Sequence, residues 1–211
     1  MRAYVGQTRA VKLIHRLVSF GFGECVSRGE FPPRRTPWFL DNGAFGDWGK
    51  GRPFDEDAFA RDLSRAHIHE PAPDFVVAPD VVAAGDASLA LSCAWVERIN
   101  ALRLPVYLVV QDGMTEESVR AVLSPFDGVF VGGSLGWKLR TGDQWVQFAH
   151  RNDRPCHIGR VGTEARVRWA LRIGADSIDS SLPLWAEANL QRFLRGFQPP
   201  TSLEFGFEVA S

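Results

Sequence analysis

Apolar residues in this chain fall into short runs that stop on a polar residue or a glycine. Between these runs lie longer stretches in which apolar positions recur every three or four residues. The short runs predict strands over residues 3–5, 22–26, 38–41, 75–78, 106–110, 128–131, 156–158 and 177–179, the second being the weakest signal. The longer stretches predict helices. One spans 8–18, with Val11, Ile14, Leu17 and Val18 on one face, and one runs from the acidic first turn Asp55-Glu56-Asp57 to Ala66. Others cover 87–102, 115–123 behind a Thr115 cap, 144–150, 163–173 behind a Thr163 cap, and 183–197. Residues 29–37, rich in proline and arginine, and 43–53, rich in glycine and carrying Trp48, read as loops. The loosely alternating tail 202–209 reads as an extra strand.

Strands and helices in strict alternation predict a parallel α/β domain, and no linker divides residues 1–211. Periodicity fits both a closed (β/α)8 barrel and an open doubly wound sheet. Six predicted strands end on polar or glycine residues: Asp41-Asn42-Gly43, Pro79-Asp80, Gln111-Asp112-Gly113, Gly132-Gly133, Gly159-Arg160 and Asp179-Ser180-Ser181. In a parallel barrel those ends share one face, where the chemistry resides.

Composition narrows this further. With 45% hydrophobic and 23% charged residues the chain reads as a soluble globular protein, and a formal charge of −1 argues against a uniformly basic nucleic-acid coat. Local basic patches remain, at Arg34-Arg35 and from Arg151 to Arg172. Three cysteines far apart, with no Cys-x-x-Cys pair, read as reduced thiols and point to a cytoplasmic protein. No run approaches the ~18 apolar residues of a membrane span, and a strand at the very N-terminus leaves no place for a signal peptide.

Taken in order, the strand ends resemble the tRNA-guanine transglycosylase superfamily, and in particular its branch that modifies DNA with deazapurines. Asp41-Asn42-Gly43-Ala44-Phe45 is similar to the family's Asp-Ser-Gly-Gly-Phe segment. Asp80 falls at its base-reading aspartate, Gln111 and Gly113 at its Val-Gln-Gly-Gly segment, and Gly132-Gly133 at its glycine strand. Ile158-Gly159 resembles the segment lying against the bound base. Gly174-Ala175-Asp176-Ser177-Ile178-Asp179 resembles the Gly-x-Asp-x-Phe-Asp run that carries the nucleophile. The tRNA enzymes hold zinc in a Cys3His subdomain, which this shorter sequence does not supply. The resemblance therefore implies a compact (β/α)8 TIM-type barrel without that subdomain. It implies exchange of guanine in DNA for a 7-deazaguanine base such as preQ0, with tRNA the lesser alternative.

The chemistry so implied follows retaining glycoside transfer. Asp179 attacks C1′, while Asp41 protonates the departing guanine and then takes a proton from the incoming base. Asp80 faces the N1–H and 2-amino donors of guanine, Gln111 and the Gly132 or Gly133 amides serve O6, and Phe45 and Ile158 sandwich the ring beside Gly159. No metal or other cofactor is called for, because protonation stabilises the leaving purine. A base inside a duplex is out of reach, so the target nucleotide is flipped or single-stranded. Arg34, Arg35, Lys138, Arg140 and Arg160 are the candidate phosphate or sugar contacts, with Trp48 or Trp137 stacking. Helper proteins or a homodimer are compatible with this scheme.

Plainer roles stand beside these. Strand-end aspartates also cap helices; Asp176 reads as structural, Asp112 as a turn residue, Phe45 and Ile158 as core, and His157 as a satisfied, half-buried histidine. His67 and His69 read as surface, and Arg166, Arg168 and Arg172 as a solvated helix face. The functional alternatives are a nucleoside or base N-glycoside hydrolase using water in place of the second base, and a non-catalytic base- or nucleic-acid-binding subunit. A subunit without chemistry has no need for both Asp41 and Asp179.

Overall fold

Every predicted strand forms. The computed structural model describes residues 1–199 and shows a closed, all-parallel eight-stranded barrel in which each strand pairs with its neighbours in sequence. The strands are β1 (Arg2–Gly6), β2 (Gly23–Ser27), β3 (Trp38–Asp41), β4 (Val76–Val77), β5 (Val106–Val110), β6 (Gly128–Val131), β7 (Cys156–Ile158) and β8 (Ser177–Ser180). Closure rests on β1 against β8, where Arg2, Ala3, Tyr4 and Val5 lie opposite Ser177, Ile178, Asp179 and Ser180. That pairing decides for the barrel over the open sheet. The weak second strand is genuine, paired on both edges.

Helices α1 (Val11–Ser19), α2 (Ala44–Trp48), α3 (Glu56–His67), α4 (Asp86–Ala101), α5 (Glu116–Arg120), α6 (Leu135–Arg151), α7 (Glu164–Arg172) and α8 (Glu187–Arg195) surround the barrel. Asp55, Thr115 and Thr163 cap α3, α5 and α7 through their side chains. Three elements depart from expectation. The 43–53 loop contains α2, entered through Gly43 in the left-handed region at φ 77°. The helix expected over 144–150 begins nine residues earlier, at Leu135. Gly136 and Gly142 mask its propensity, but a Cβ on Gly142 would lie 2.6 Å from the Trp169 ring, so packing of α7 selects a glycine inside the helix. The last predicted helix divides into a 3-10 turn, Leu182–Leu184, and α8. The tail 202–209 lies outside the described residues.

Alternation along the strands sorts side chains into two compartments. In β5, Val106, Leu108 and Val110 face the helices, while Tyr107 and Val109 face the barrel axis. Aromatic rings fill the lower barrel. Phe39 stacks on Phe75 at 4.6 Å, Phe75 on Tyr107 at 4.0 Å, and Tyr4 meets Phe39 edge-on at 4.9 Å. Each such pair contributes about 0.5–1.5 kcal/mol beyond its buried area. Glycines give the rings room, since a Cβ on Gly23 would lie 2.5 Å from Tyr4 and one on Gly128 2.6 Å from Tyr107. Below them, Asp74 receives hydrogen bonds from Arg2 and from the Tyr4 hydroxyl and closes the N-terminal end. With that end plugged, the open volume is left at the C-terminal ends of the strands. Among the described residues, no helix is long and apolar enough to cross a membrane.

Candidate active site

A cavity of about 430 Å³ opens at that C-terminal face, and Asp41, Asp80 and Asp179 all line it. Each carboxylate is held differently. Asp41 ends β3 half-buried and accepts the Gly43 amide at 3.2 Å. Burial, reinforced by the negative charges of Asp179 and Asp80, pushes its carboxyl up to about 7.

Asp80 follows β4 and is nearly buried. Asn42 donates to its Oδ1 at 2.7 Å and the Gln111 side-chain amide donates to its Oδ2. Burial raises this carboxyl to about 6, against the lowering effect of those two amides. A carboxylate accepts about four hydrogen bonds, so lone pairs remain for a ligand. Asn42 also donates to the Ala78 carbonyl at 2.7 Å and accepts the Ala44 amide at 2.7 Å, tying the end of β3 to the end of β4 and starting α2.

Asp179, in β8, accepts His157 Nε2–H at 3.0 Å and the Arg160 amide at 3.2 Å on Oδ1. A carboxylate only accepts, so Nε2 carries the proton and His157 Nδ1 accepts the Ser177 hydroxyl at 2.8 Å. Burial lowers the pKa of His157, which keeps the ring neutral. The ring is wholly buried and stacks on Phe130 at 4.7 Å.

Across the mouth, Phe45 on α2 presents its ring to the Arg160 guanidinium, whose Cζ lies 4.2 Å from the ring centroid. Arg160 also donates to the Gly133 carbonyl. The clasp bridges the β3, β6 and β7 ends. Beneath α2, Arg28 pairs with buried Asp47 at 2.5 Å and fixes the turn that carries Phe45.

Of the residues expected from sequence, Asp41, Phe45, Asp80, Gln111, Gly132, Gly133, Gly159, Arg160 and Asp179 line this cavity. Several expected contacts require correction. Ile158 is fully buried and faces the helices, because it alternates with inward-facing His157 and Gly159. The ring partner of Phe45 is therefore Arg160. The Gly132 amide donates to the Val110 carbonyl, leaving Gly133 as the backbone donor of that pair. Gln111 accepts the Ala83 amide at 3.0 Å while donating to Asp80, so it orients the carboxylate.

Three of the five proposed nucleic-acid contacts have structural surroundings. Arg35 is buried on the barrel wall, paired with Glu24 at 2.8 Å and donating to the carbonyls of Val5, Gly6 and Gly23. This segment crosses from β2 to β3 without a helix, and the guanidinium fills the space beside the strands. Arg34 is exposed next to it, with its amide bound to Glu24 at 2.5 Å. Lys138 is buried in α6 and donates to the Gly159 carbonyl; burial, with the Arg160 charge adding, brings its ammonium down to about 7. Arg140 is exposed on α6 outside the cavity lining.

Trp48 is exposed and lies 5.7 Å from Phe45, whereas Trp137 packs on the core. Asp176 binds His150 and the Cys156 amide, and Asp112 binds the amide and hydroxyl of Ser134, both structural roles. The sequence reading missed Asn42 and Arg166 at the cavity, and it placed His157 at half burial. A polar residue at an inward position of a strand end was the available signal for His157. The three cysteines are free thiols, and among the described residues no three His, Cys, Asp or Glu side chains converge to hold a metal ion.

A scan against protein-family models gives no match, and neither does a search of curated proteins. Among solved structures, the chain is similar to RipC from Yersinia pestis, with a TM-score of 0.54 and 13% identity over 97% of each chain. At that identity the likeness shows the fold.

Proposed function

We propose that this barrel is a guanine transglycosylase that exchanges a guanine in DNA for a 7-deazaguanine base of the preQ0 type. The observation that carries the reading is the unequal treatment of two carboxylates at one cavity. Asp41 titrates at about 7, where a group that must both give and take a proton works best. Asp179 is held in one orientation by His157 and the Arg160 amide, as a nucleophile should be.

In this scheme an Asp179 oxygen forms a bond to C1′ as the C1′–N9 bond breaks, and the electron pair leaves with guanine. Asp41 protonates the departing base. It then removes a proton from the incoming base, whose N9 displaces Asp179 from C1′ and regenerates both carboxylates. Asp80, fixed by Asn42 and Gln111, reads the N1–H and 2-amino donors through its remaining lone pairs. DNA is the proposed polymer because Cys25, Cys93 and Cys156 are scattered over β2, α4 and β7 and form no Cys3His zinc set.

Incubation with single-stranded DNA and labelled guanine or preQ0 tests the proposal. Label entering the DNA is the expected result, with a trapped protein–DNA adduct lost in Asp179→Ala. Abasic sites without incorporation would show a hydrolase instead, and an undiminished adduct in Asp179→Ala would remove the nucleophile assignment.

A further inference from the structure

The cavity runs past the three carboxylates into a cleft between the loops that follow β7 and β8, lined by Arg160, Gly162, Arg166, Ser180 and Ser181. The cations of α7 are treated unequally. Glu164 takes Arg168 at 3.2 Å and Arg195 at 3.0 Å, both on the outer surface. Arg166, half-buried and facing the cleft, makes no side-chain hydrogen bond or ion pair among the described residues. A guanidinium keeps five N–H donors, and leaving them unanswered in a cleft is costly unless an anion arrives.

Two backbone features favour the same ligand. Arg160 is left-handed at φ 61°, a conformation that disfavours any residue with a Cβ. Holding an arginine there turns its amide to Asp179 and its guanidinium across the mouth. At Gly162 a Cβ would fall 2.2 Å from Ser180 Oγ, so only glycine lets the two loops close on one another. Loops after the seventh and eighth strands are where parallel barrels commonly seat phosphate.

We infer that Arg166, with Arg160 and Ser181, forms a phosphate-binding subsite, so that the substrate is a nucleotide unit carrying phosphate and not a free nucleoside. This deepens the base-exchange reading, and as a substrate assignment it rests on that reading, but the subsite can be tested without turnover. Arg166 contributes the bidentate fork suited to two phosphate oxygens, and Ser181 stands on the opposite loop. The phosphate held there is the one next to the sugar that Asp179 attacks.

Calorimetric titration of the full chain with deoxyguanosine, its 5′-monophosphate, its 3′-monophosphate and inorganic phosphate provides the test. At least one monophosphate should bind ten-fold or more tightly than deoxyguanosine, which identifies the flanking phosphate. Arg166→Gln should erase that preference while leaving deoxyguanosine affinity and the melting temperature unchanged. Arg166→Lys should restore part of it. Equal affinity for nucleoside and both nucleotides, or a preference surviving in a folded Arg166→Gln protein, overturns the subsite. Arg166-dependent binding of inorganic phosphate with no binding of any guanine compound would sustain the subsite and sink the guanine reading.

Discussion

His157 Nε2 donates to Oδ1 of Asp179 at 3.0 Å from a ring with no exposed surface. Because Ser177 occupies Nδ1, the ring has one tautomer and one orientation, and the carboxylate it holds points into the cavity. Removing the donor while keeping a ring, as in His157→Phe, should lower the rate of base exchange about 10- to 100-fold, the worth of one hydrogen bond to a charged acceptor. His157→Gln keeps an amide donor and should recover much of the loss. Single-turnover rates across pH 5–9 separate this positioning role from a structural one, since a His157→Phe enzyme with the native rate and profile would contradict it.

Asp41→Asn should remove the proton donor and slow exchange by about 10²–10⁴-fold. In the native protein, the rate should fall as pH rises above about 7, where the acid form is lost. Stability moves in a linked way. The unfolded carboxyl ionises near 3.8 and the folded one near 7, so within that window the folded state binds the extra proton and stability declines as pH rises. Above it the penalty is complete, at about 1.4 kcal/mol per unit of separation. Thermal melts at pH 5 and pH 8 should therefore show Asp41→Asn more stable than the native protein at pH 8, with a smaller advantage at pH 5.

Asn42→Ala should take one of two donors from Asp80 and raise its carboxyl above the present value of about 6. At pH 7 more of the group would then be protonated and unable to accept from guanine. Guanine affinity should drop about ten-fold at pH 7, a loss of the size expected for one hydrogen bond, and recover in part at pH 8. Titrations at the two pH values check this, and a loss independent of pH would point to collapse of the β3–β4 junction.

Arg35→Met should act on stability and leave DNA binding alone. The Glu24–Arg35 pair has side-chain exposures of 0% and 1%, so removing the arginine strands a buried carboxylate. Such breaks cost about 3–5 kcal/mol. The double change Glu24→Leu with Arg35→Met should lose less. Loss of DNA affinity with an unchanged melting temperature would restore Arg35 to the nucleic-acid surface.

Much of the barrel was legible because a buried parallel strand writes itself as an apolar run with a polar end, and Phe39-Leu40-Asp41 and Val109-Val110-Gln111 are such runs. The helix caps at Asp55, Thr115 and Thr163 were equally local. Where packing governed, the pattern misled. α6 runs through Gly136 and Gly142 because Trp169 of α7 needs the space, a contact 27 residues away in the chain.

The sequence by itself determined which residues end the strands, and hence that Asp41, Asp80, Gln111 and Asp179 meet at one face, since strand polarity and period are local properties. Only the tertiary structure decided which cations face the cavity. A long arginine reports neither its direction nor its partner. Arg35 was claimed by Glu24 and Arg168 by Glu164, while Arg166 was left facing the cleft. Pairing between distant charges depends on how the closed barrel brings its loops together, which no window of sequence contains.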